Sequence, residues 1–444
     1  MPTKYLIKGA RIEGGAAADI LTDGTRIVEV GPHVSSAGAT IIEADGLVAL
    51  PGLVDLHTHL REPGFEQSET VLTGTQAAAA GGFTAVFAMA NTNPVADTAG
   101  VVEQVQRLGD EAGYATVRPI GAVTRGLEGR ELAELGAMAQ SRAQVRVFSD
   151  DGKCVHDALL MRRALEYVKT FGAVVAQHAQ EPRLTVDSQM NEGDVSARLG
   201  LAGWPAVAEE AIIARDVLLA EHVGSRLHVC HLSTAGSVDV IRWAKKRGIH
   251  VTAEVTPHHL LLTDARAESY DAKFKVNPPL RREEDVLALR EALADGTIDI
   301  VATDHAPHPV ETKECEWSAA AFGMVGLESA LAVVQTTMVE TGLLSWADVA
   351  RVFSKKPAQI GLLSSQGHDI AAGSSANIVL VDPAATRTFG PEHLAGRSQN
   401  TPFGGIELSG AVHTTLHNGY ATVVSGSLVG AFDVAMAAEA VRRG

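Results

Sequence analysis

The sequence predicts a (β/α)8 barrel of the TIM type, an α/β fold, carrying a small β-sandwich built from both chain ends. Three observations predict it. Between about residues 52 and 360, eight short apolar or β-branched runs alternate with amphipathic helical stretches, the pattern of a parallel sheet with helical crossovers. The first run ends in His57-Thr58-His59, and no GxGxxG follows it as a doubly wound nucleotide-binding sheet would require. The two ends of the chain read differently, as short β segments joined by turns.

Taken in order, KYLIKGARI, DILTDGTRIVEVG and ATIIEADGLVAL are the N-terminal strands, with Asp23-Gly24 a hairpin signal. The barrel runs are LVDLHTH, FTAVFAMA, ATVRPIGAV, QVRVFSD, AVVAQHA, RLHVCHL, IHVTAEV and IDIVATD. Helices are expected over 67–80, stopped by Gly81-Gly82; over 97–112, capped by Asp97 or Thr98; and over 157–170, 206–222, 235–247 and 283–295. ANIVLVDP and AVHTTLHNGYATVVSG then return to strand character, with Asn418-Gly419 a second hairpin turn. The expected division is a composite β-sandwich domain, 1–51 with 366–444, around a catalytic barrel domain, 52–365.

A chain of 444 residues is long enough for such a barrel plus an appendage. Its formal charge of −16 argues against nucleic-acid or anionic-membrane partners, which require basic surfaces. Cys154, Cys230 and Cys315 are few, odd in number and far apart, which fits a reducing compartment better than a disulfide framework. The N-terminal stretch lacks the apolar run of a signal peptide and no segment reads as a membrane span, so a cytoplasmic location is expected.

In a barrel of this kind chemistry sits at the carboxyl ends of the strands. Strand one ends in His57 and His59, which alternation places on one face; strand four ends in Ser149, Asp150 and Asp151, strand five in His178, strand six in His231, strand eight in Asp304. A single histidine or strand-end aspartate is ordinarily a hydrogen-bonded core residue or a turn cap. Six converging imidazoles and carboxylates are instead the ligands of Zn, Mn, Fe or Co. The division that follows gives His57 and His59 to one ion, His178 and His231 to a second, with Asp151 bridging and a spacing of roughly 3.5–4 Å. Asp304 would touch one metal and shuttle a proton from an acidified water to a leaving nitrogen, which points to hydrolysis. Arg61, two positions past His59, offers a planar cation that matches a carboxylate bidentately.

The segments HTHLREPG, ANTNP (90–94), SDDGK (149–153), QHAQE (177–181), VCHLST (229–234), EVTPHH (254–259), KVNPPLR (275–281) and ATDHAPH (302–308) resemble dihydroorotase, and more narrowly the type I enzymes of the cyclic amidohydrolase superfamily. The resemblance covers essentially the whole chain in order. It implies metal ligation by His57, His59, Asp151, His178, His231 and Asp304, with Asp304 also the acid/base. It further implies that Arg61, Asn91 and His308 grip a substrate carboxylate while Asn277 contacts the ring amide. The expected activity is reversible hydrolysis of dihydroorotate to N-carbamoyl-aspartate in pyrimidine synthesis. The expected cofactor is zinc, two ions rather than one.

Related enzymes bridge their metals with a carboxylated lysine after strand four, and Lys153 stands two positions past Asp151; the SDDGK wording resembles the pattern in which aspartate bridges instead. Long polar segments at 180–205 and 306–326 follow strands five and eight. The second is expected to close over substrate, with backbone amides at Phe322 and Gly323 helping to hold it. An alternative keeps the machinery and changes the ring, as in an allantoinase, hydantoinase or dihydropyrimidinase. A non-catalytic scaffold is disfavoured because all six ligand positions hold competent side chains. Expected partners are the small-molecule substrate, a second copy of the chain as a homodimer and, from the resemblance, aspartate transcarbamoylase.

Overall fold

The computed structural model describes residues 4–443. The N-terminal segment supplies β1 (Lys4–Ile12), β2 (Ala17–Asp23), β3 (Arg26–Gly31), β4 (Thr40–Glu43) and β5 (Val48–Pro51). The middle supplies β6 (Leu53–Thr58), β7 (Phe83–Ala88), β8 (Thr116–Pro119), β9 (Val147–Phe148) and β10 (Val174–Gln177). After an excursion containing the short pair β11 (Met190–Asn191) and β12 (Gly203–Trp204) come β13 (Leu227–Val229), β14 (Val251–Val255) and β15 (Ile300–Val301). The C-terminal segment adds β16 (Ile378–Thr388), β17 (Glu407–His417), β18 (Tyr420–Val424) and β19 (Ser427–Leu428).

Parallel pairing runs β6–β7–β8 and, separately, β9–β10–β13–β14–β15. Two bridges join these arcs into a ring: Gly121 with Phe148, and Thr58 with His305. At the second seam the His59 amide donates to the His305 carbonyl at 2.8 Å. The eight expected barrel runs are thus eight barrel strands, closed with no free edge. β9 and β15 form ladders of only two residues, because beyond them the backbone turns to present site residues. Asp304, for example, has φ 47°, outside the strand region.

The helices fall close to expectation, at Val71–Ala80, Ala99–Ala112, Ala158–Lys169, Val207–Val223, Ala235–Lys246 and Glu283–Ala294. The first starts later than predicted because Thr70, not residue 67, caps it: its side chain accepts from the Thr73 amide. Among the described residues no helix is long and apolar enough to cross a membrane.

Strands from both ends pair in one nine-stranded sheet, ordered β19-β18-β17-β16-β5-β1-β2-β3 with β4 on β1. Its central strands alternate their burial. Val48, Leu50, Val379 and Val381 join the barrel's apolar core, while Ala49, Ile378 and Leu380 join Ile7, Ile20 and Ile27 on the opposite face. A helix at Ala431–Arg443, absent from the sequence expectation, sets Val434 and Ala438 against Tyr114 and Ala79. The connection between β16 and β17 returns to the barrel, where Phe389 and Phe403 pack with Leu262, Val276 and Met324.

A buried carboxylate locks the barrel's first strand to its last. Asp55, fully buried, accepts hydrogen bonds from the His57 amide at 3.1 Å and from the amide and hydroxyl of Thr303 at 3.0 and 2.5 Å. Replacing Thr303 by Val should remove one donor and lower the unfolding free energy by about 1–3 kcal/mol, measured by urea denaturation. An unchanged urea midpoint would mean the seam is held some other way.

Candidate metal centre

All six predicted ligands meet at one end of the barrel. Asp151 lies at their middle: Oδ1 is 3.4 Å from His57 Nε2, 3.3 Å from His178 Nδ1 and 3.2 Å from His231 Nε2, while Oδ2 is 3.2 Å from His59 Nε2. Asp304 Oδ1 lies 3.4 Å from His57 Nε2 and 3.2 Å from His59 Nε2. The donor atoms fall into two overlapping sets, His57/His59/Asp151/Asp304 and Asp151/His178/His231, which share Asp151. Every member is buried. His231 and Asp304 sit at positive φ, 31° and 47°, an uncommon conformation that turns their side chains inward from the strand ends.

Asp150 does not enter the centre. Its carboxylate instead accepts from the amides of Val123 and Thr124 at 2.8 and 2.9 Å, tying strand four to the segment after strand three. Burial pushes its pKa up to about 6 despite those hydrogen bonds. Lys153 is exposed.

Each of three imidazoles is oriented from behind. His57 Nδ1 donates to Glu254 at 2.6 Å, His59 Nδ1 to Asn91 Oδ1 at 2.8 Å, and His178 Nε2 to Gln180 Oε1 at 2.8 Å. Once a ring is neutral, its other nitrogen presents a lone pair to the shared space. His57 Nε2 is fully buried with no hydrogen-bond partner. A buried, unpartnered ring nitrogen among carboxylates and imidazoles fits a divalent transition ion and fits apolar packing poorly.

Electrostatics agree with the geometry. Burial alone would keep these groups neutral, yet the contacts outweigh it: His57 and His59 hold Asp304 down at about 2, and His57 with His178 and His231 holds Asp151 well below the usual carboxylate range. Against the same burial, His57, His59 and His231 are raised above the ordinary imidazole value by Asp151 and its neighbours. Without metal these contacts favour ionised Asp151 and Asp304 and protonated His57, His59 and His231, so an incoming dication displaces protons from those three rings.

Glu254 went unassigned in the sequence, although it stands in the quoted EVTPHH segment. It lies on β14, fully enclosed, and binds His57 through Oε1 and His228 Nε2 through Oε2 at 2.9 Å. It also accepts from the His231 amide at 3.2 Å. One carboxylate therefore orients a ligand from each donor set. The available signal was an acid at an inward position of a buried strand. Gln180 was also unassigned; besides His178 it accepts from Asn277 Nδ2 at 3.1 Å, which leaves Asn277 Oδ1 buried and unpartnered.

The expected substrate residues line the same mouth. Arg61 donates from Nε to the Pro307 carbonyl at 3.1 Å, and its Nη2 lies 3.4 Å from His308 Nε2. Burial lowers Arg61 to about 10, so it stays cationic at neutral pH. Burial, with Arg61 and Lys313 nearby, lowers His308 to about 3, and its Nε2 donates to the Phe322 carbonyl at 2.8 Å. One expectation is not met in this conformation. The Gly323 amide donates to the Lys275 carbonyl at 2.9 Å, so it is engaged in holding the loop and is not a free donor to substrate.

Buried imidazoles and carboxylates gathered at the mouth of a closed eight-stranded barrel define the class as a metal-dependent cyclic amidohydrolase. A family model described as Dihydro-orotase-like matches residues 46–237. The dihydroorotase of Leifsonia xyli subsp. xyli is 72% identical, covering 96% of this chain and 97% of that protein. That of Streptomyces coelicolor is 69% identical, covering 96% and 100%. Among solved structures, dihydropyrimidinase from Brevibacillus agri superposes with a TM-score of 0.82 at 26% identity, covering 96% of each chain. The chain belongs to the dihydroorotase family.

Two measurements test the centre. Metal binding should release protons, and apparent affinity should rise with pH because the raised imidazoles must lose them; calorimetry in buffers of different ionisation enthalpy reads this, and pH-independent affinity would contradict it. Asp151→Ala should abolish metal binding, Lys153→Ala should leave it mostly intact, and Glu254→Gln should weaken it by about 10–100-fold. The reverse order for the first two would move the bridge to the lysine.

Proposed function

We propose that this site opens and closes the ring amide of dihydroorotate, interconverting it with N-carbamoyl-aspartate in pyrimidine synthesis, and that it does so with two zinc ions. The observation that carries the reading is the placement of a cationic Arg61 at the edge of the six-residue cluster, together with a relative at 72% identity named dihydroorotase. His57, His59, Asp151 and Asp304 would hold one ion and Asp151, His178 and His231 the other. When bound, such ions polarise an amide carbonyl and bring the pKa of water to about 7.

The chain's own groups do the rest. Arg61 pairs with the substrate carboxylate, and Asn91, whose Oδ1 is committed to His59, offers its Nδ2 on the same side. His308 joins them once the carboxylate's charge stabilises a second proton on its ring. Asn277 Oδ1 accepts from a ring N–H. Water adds to the ring carbonyl, the C–N bond breaks, and Asp304 carries a proton from that water to the departing nitrogen. In cyclisation the same carboxylate takes the proton from nitrogen. Phe322 and Gly323 close the loop over the ring.

We also propose the division into a composite terminal domain, 1–51 with 366–444, and a barrel, 52–365. A cytoplasmic location, a homodimer and association with aspartate transcarbamoylase belong to the same reading.

A second reading, hydrolysis of an uncharged ring as in dihydropyrimidinase, is favoured by the likeness of fold. Arg61 separates the two, since an uncharged ring gives a guanidinium nothing to neutralise. With metal-loaded protein the ultraviolet absorbance of dihydroorotate should change, and Arg61→Met should raise KM steeply with a smaller effect on kcat. Asp304→Asn should cut kcat by roughly 10²–10⁴-fold. No absorbance change in either direction would refute the proposal, and indifference to Arg61→Met would favour the uncharged ring.

A further inference from the structure

The anion-gripping side of the mouth is not braced by the barrel alone. Asn400, on the connection between β16 and β17, is 4% exposed and makes four hydrogen bonds to the loop after strand eight. Its Oδ1 accepts from the His308 amide at 3.1 Å. Its Nδ2 donates to the carbonyls of Ala306 at 3.1 Å and Gly323 at 3.2 Å. Its own carbonyl accepts from the Val325 amide at 3.2 Å. Because its side-chain partners are one backbone N–H and two backbone carbonyls, the amide has only one satisfactory orientation.

These bonds tie the outgoing and returning ends of the loop together. Between Ala306 and His308 lies Pro307, whose carbonyl holds Arg61, so one side chain fixes the backbone that places both the guanidinium and the imidazole. The returning end has little freedom. Gly323 has φ +139°, and a Cβ there would stand 2.7 Å from His308 Nε2 and 2.9 Å from the Ala306 Cβ. The buried ammonium of Lys313 also donates to the Gly323 carbonyl, at 3.0 Å. The strand connection that carries Asn400 is itself anchored to the segment between β6 and the first helix: the Arg397 amide donates to Glu69 at 3.0 Å, and the Ser398 hydroxyl to the Ser68 carbonyl at 2.6 Å.

We propose that Asn400 is a positioning residue for substrate recognition, supplied by the terminal sheet, which sets His308 and Arg61 at the spacing a substrate carboxylate needs. This rests on the proposed substrate. Truncation should loosen the grip on the carboxylate and leave the donor cluster, to which the Asn400 side chain makes no hydrogen bond, as it is.

The test compares Asn400→Ala and Asn400→Asp with wild type, alone and combined with His308→Ala. The aspartate keeps the acceptor for His308 and sets a carboxylate against two carbonyl oxygens. Both variants should retain metal content and circular dichroism, raise KM for dihydroorotate tenfold or more, and keep kcat within about threefold. In the His308→Ala background, Asn400→Ala should raise KM by clearly less than it does in the wild-type background, because one of the two residues it positions is gone. The proposal falls if KM stays within twofold of wild type, if the two substitutions multiply, or if both variants lose metal or fold, which would make Asn400 a folding residue. A wild-type protein inert toward dihydroorotate would instead sink the substrate assignment.

Discussion

One carboxylate among four imidazoles is the constraint on which the rest depends. Asp151 is buried, and an isolated charge at that depth would be driven to protonate. It stays ionised because His57, His178 and His231 surround it, and they in turn are aligned by groups that make no contact with it. Such a cluster cannot be assembled locally: its members come from strands one, four, five, six and eight. The barrel solves this by bringing five strand ends to one rim on a closed, edgeless sheet.

Rigidity at the rim comes from hydrogen bonds behind the ligands. Glu254 steers His57 and the backbone of His231 together, so the two donor sets are coupled beneath the bridge as well as through it. Gln180 likewise joins His178 to Asn277, linking a member of the cluster to an amide whose Oδ1 is buried and unpartnered. On the opposite side Asp55 and Thr303 fix strand one against strand eight, directly under His57 and Asp304. The site is therefore a set of oriented side chains on a stiff frame, as electrostatic stabilisation of a developing charge demands.

Much of this was legible in the sequence because it is local. Alternation along LVDLHTH puts His57 and His59 on one face whatever the rest of the chain does, and the structure keeps them there. The ladder register of the barrel likewise brought Asp151, His178, His231 and Asp304 to the same rim. What stayed hidden depends on contacts distant in sequence. Glu254 reads as an acid in a strand until His57, nearly two hundred residues earlier, is placed beside it. Asn400 sits in a connection with no periodicity of its own, and the packing of Phe389 and Phe403 against the barrel, with the hydrogen bonds of Arg397 and Ser398, brings it to the mouth. The Gly323 amide could be assigned to substrate from sequence because nothing in the sequence says that Lys275 will claim it.

The most direct measurement is an anomalous-difference map, collected at the edge of the bound metal, from crystals of this chain grown with dihydroorotate. The account predicts two peaks that both touch the Asp151 carboxylate, one beside His57, His59 and Asp304 and the other beside His178 and His231. Density for a modified Lys153 joining the peaks, or metal bound without Asp151, would contradict it.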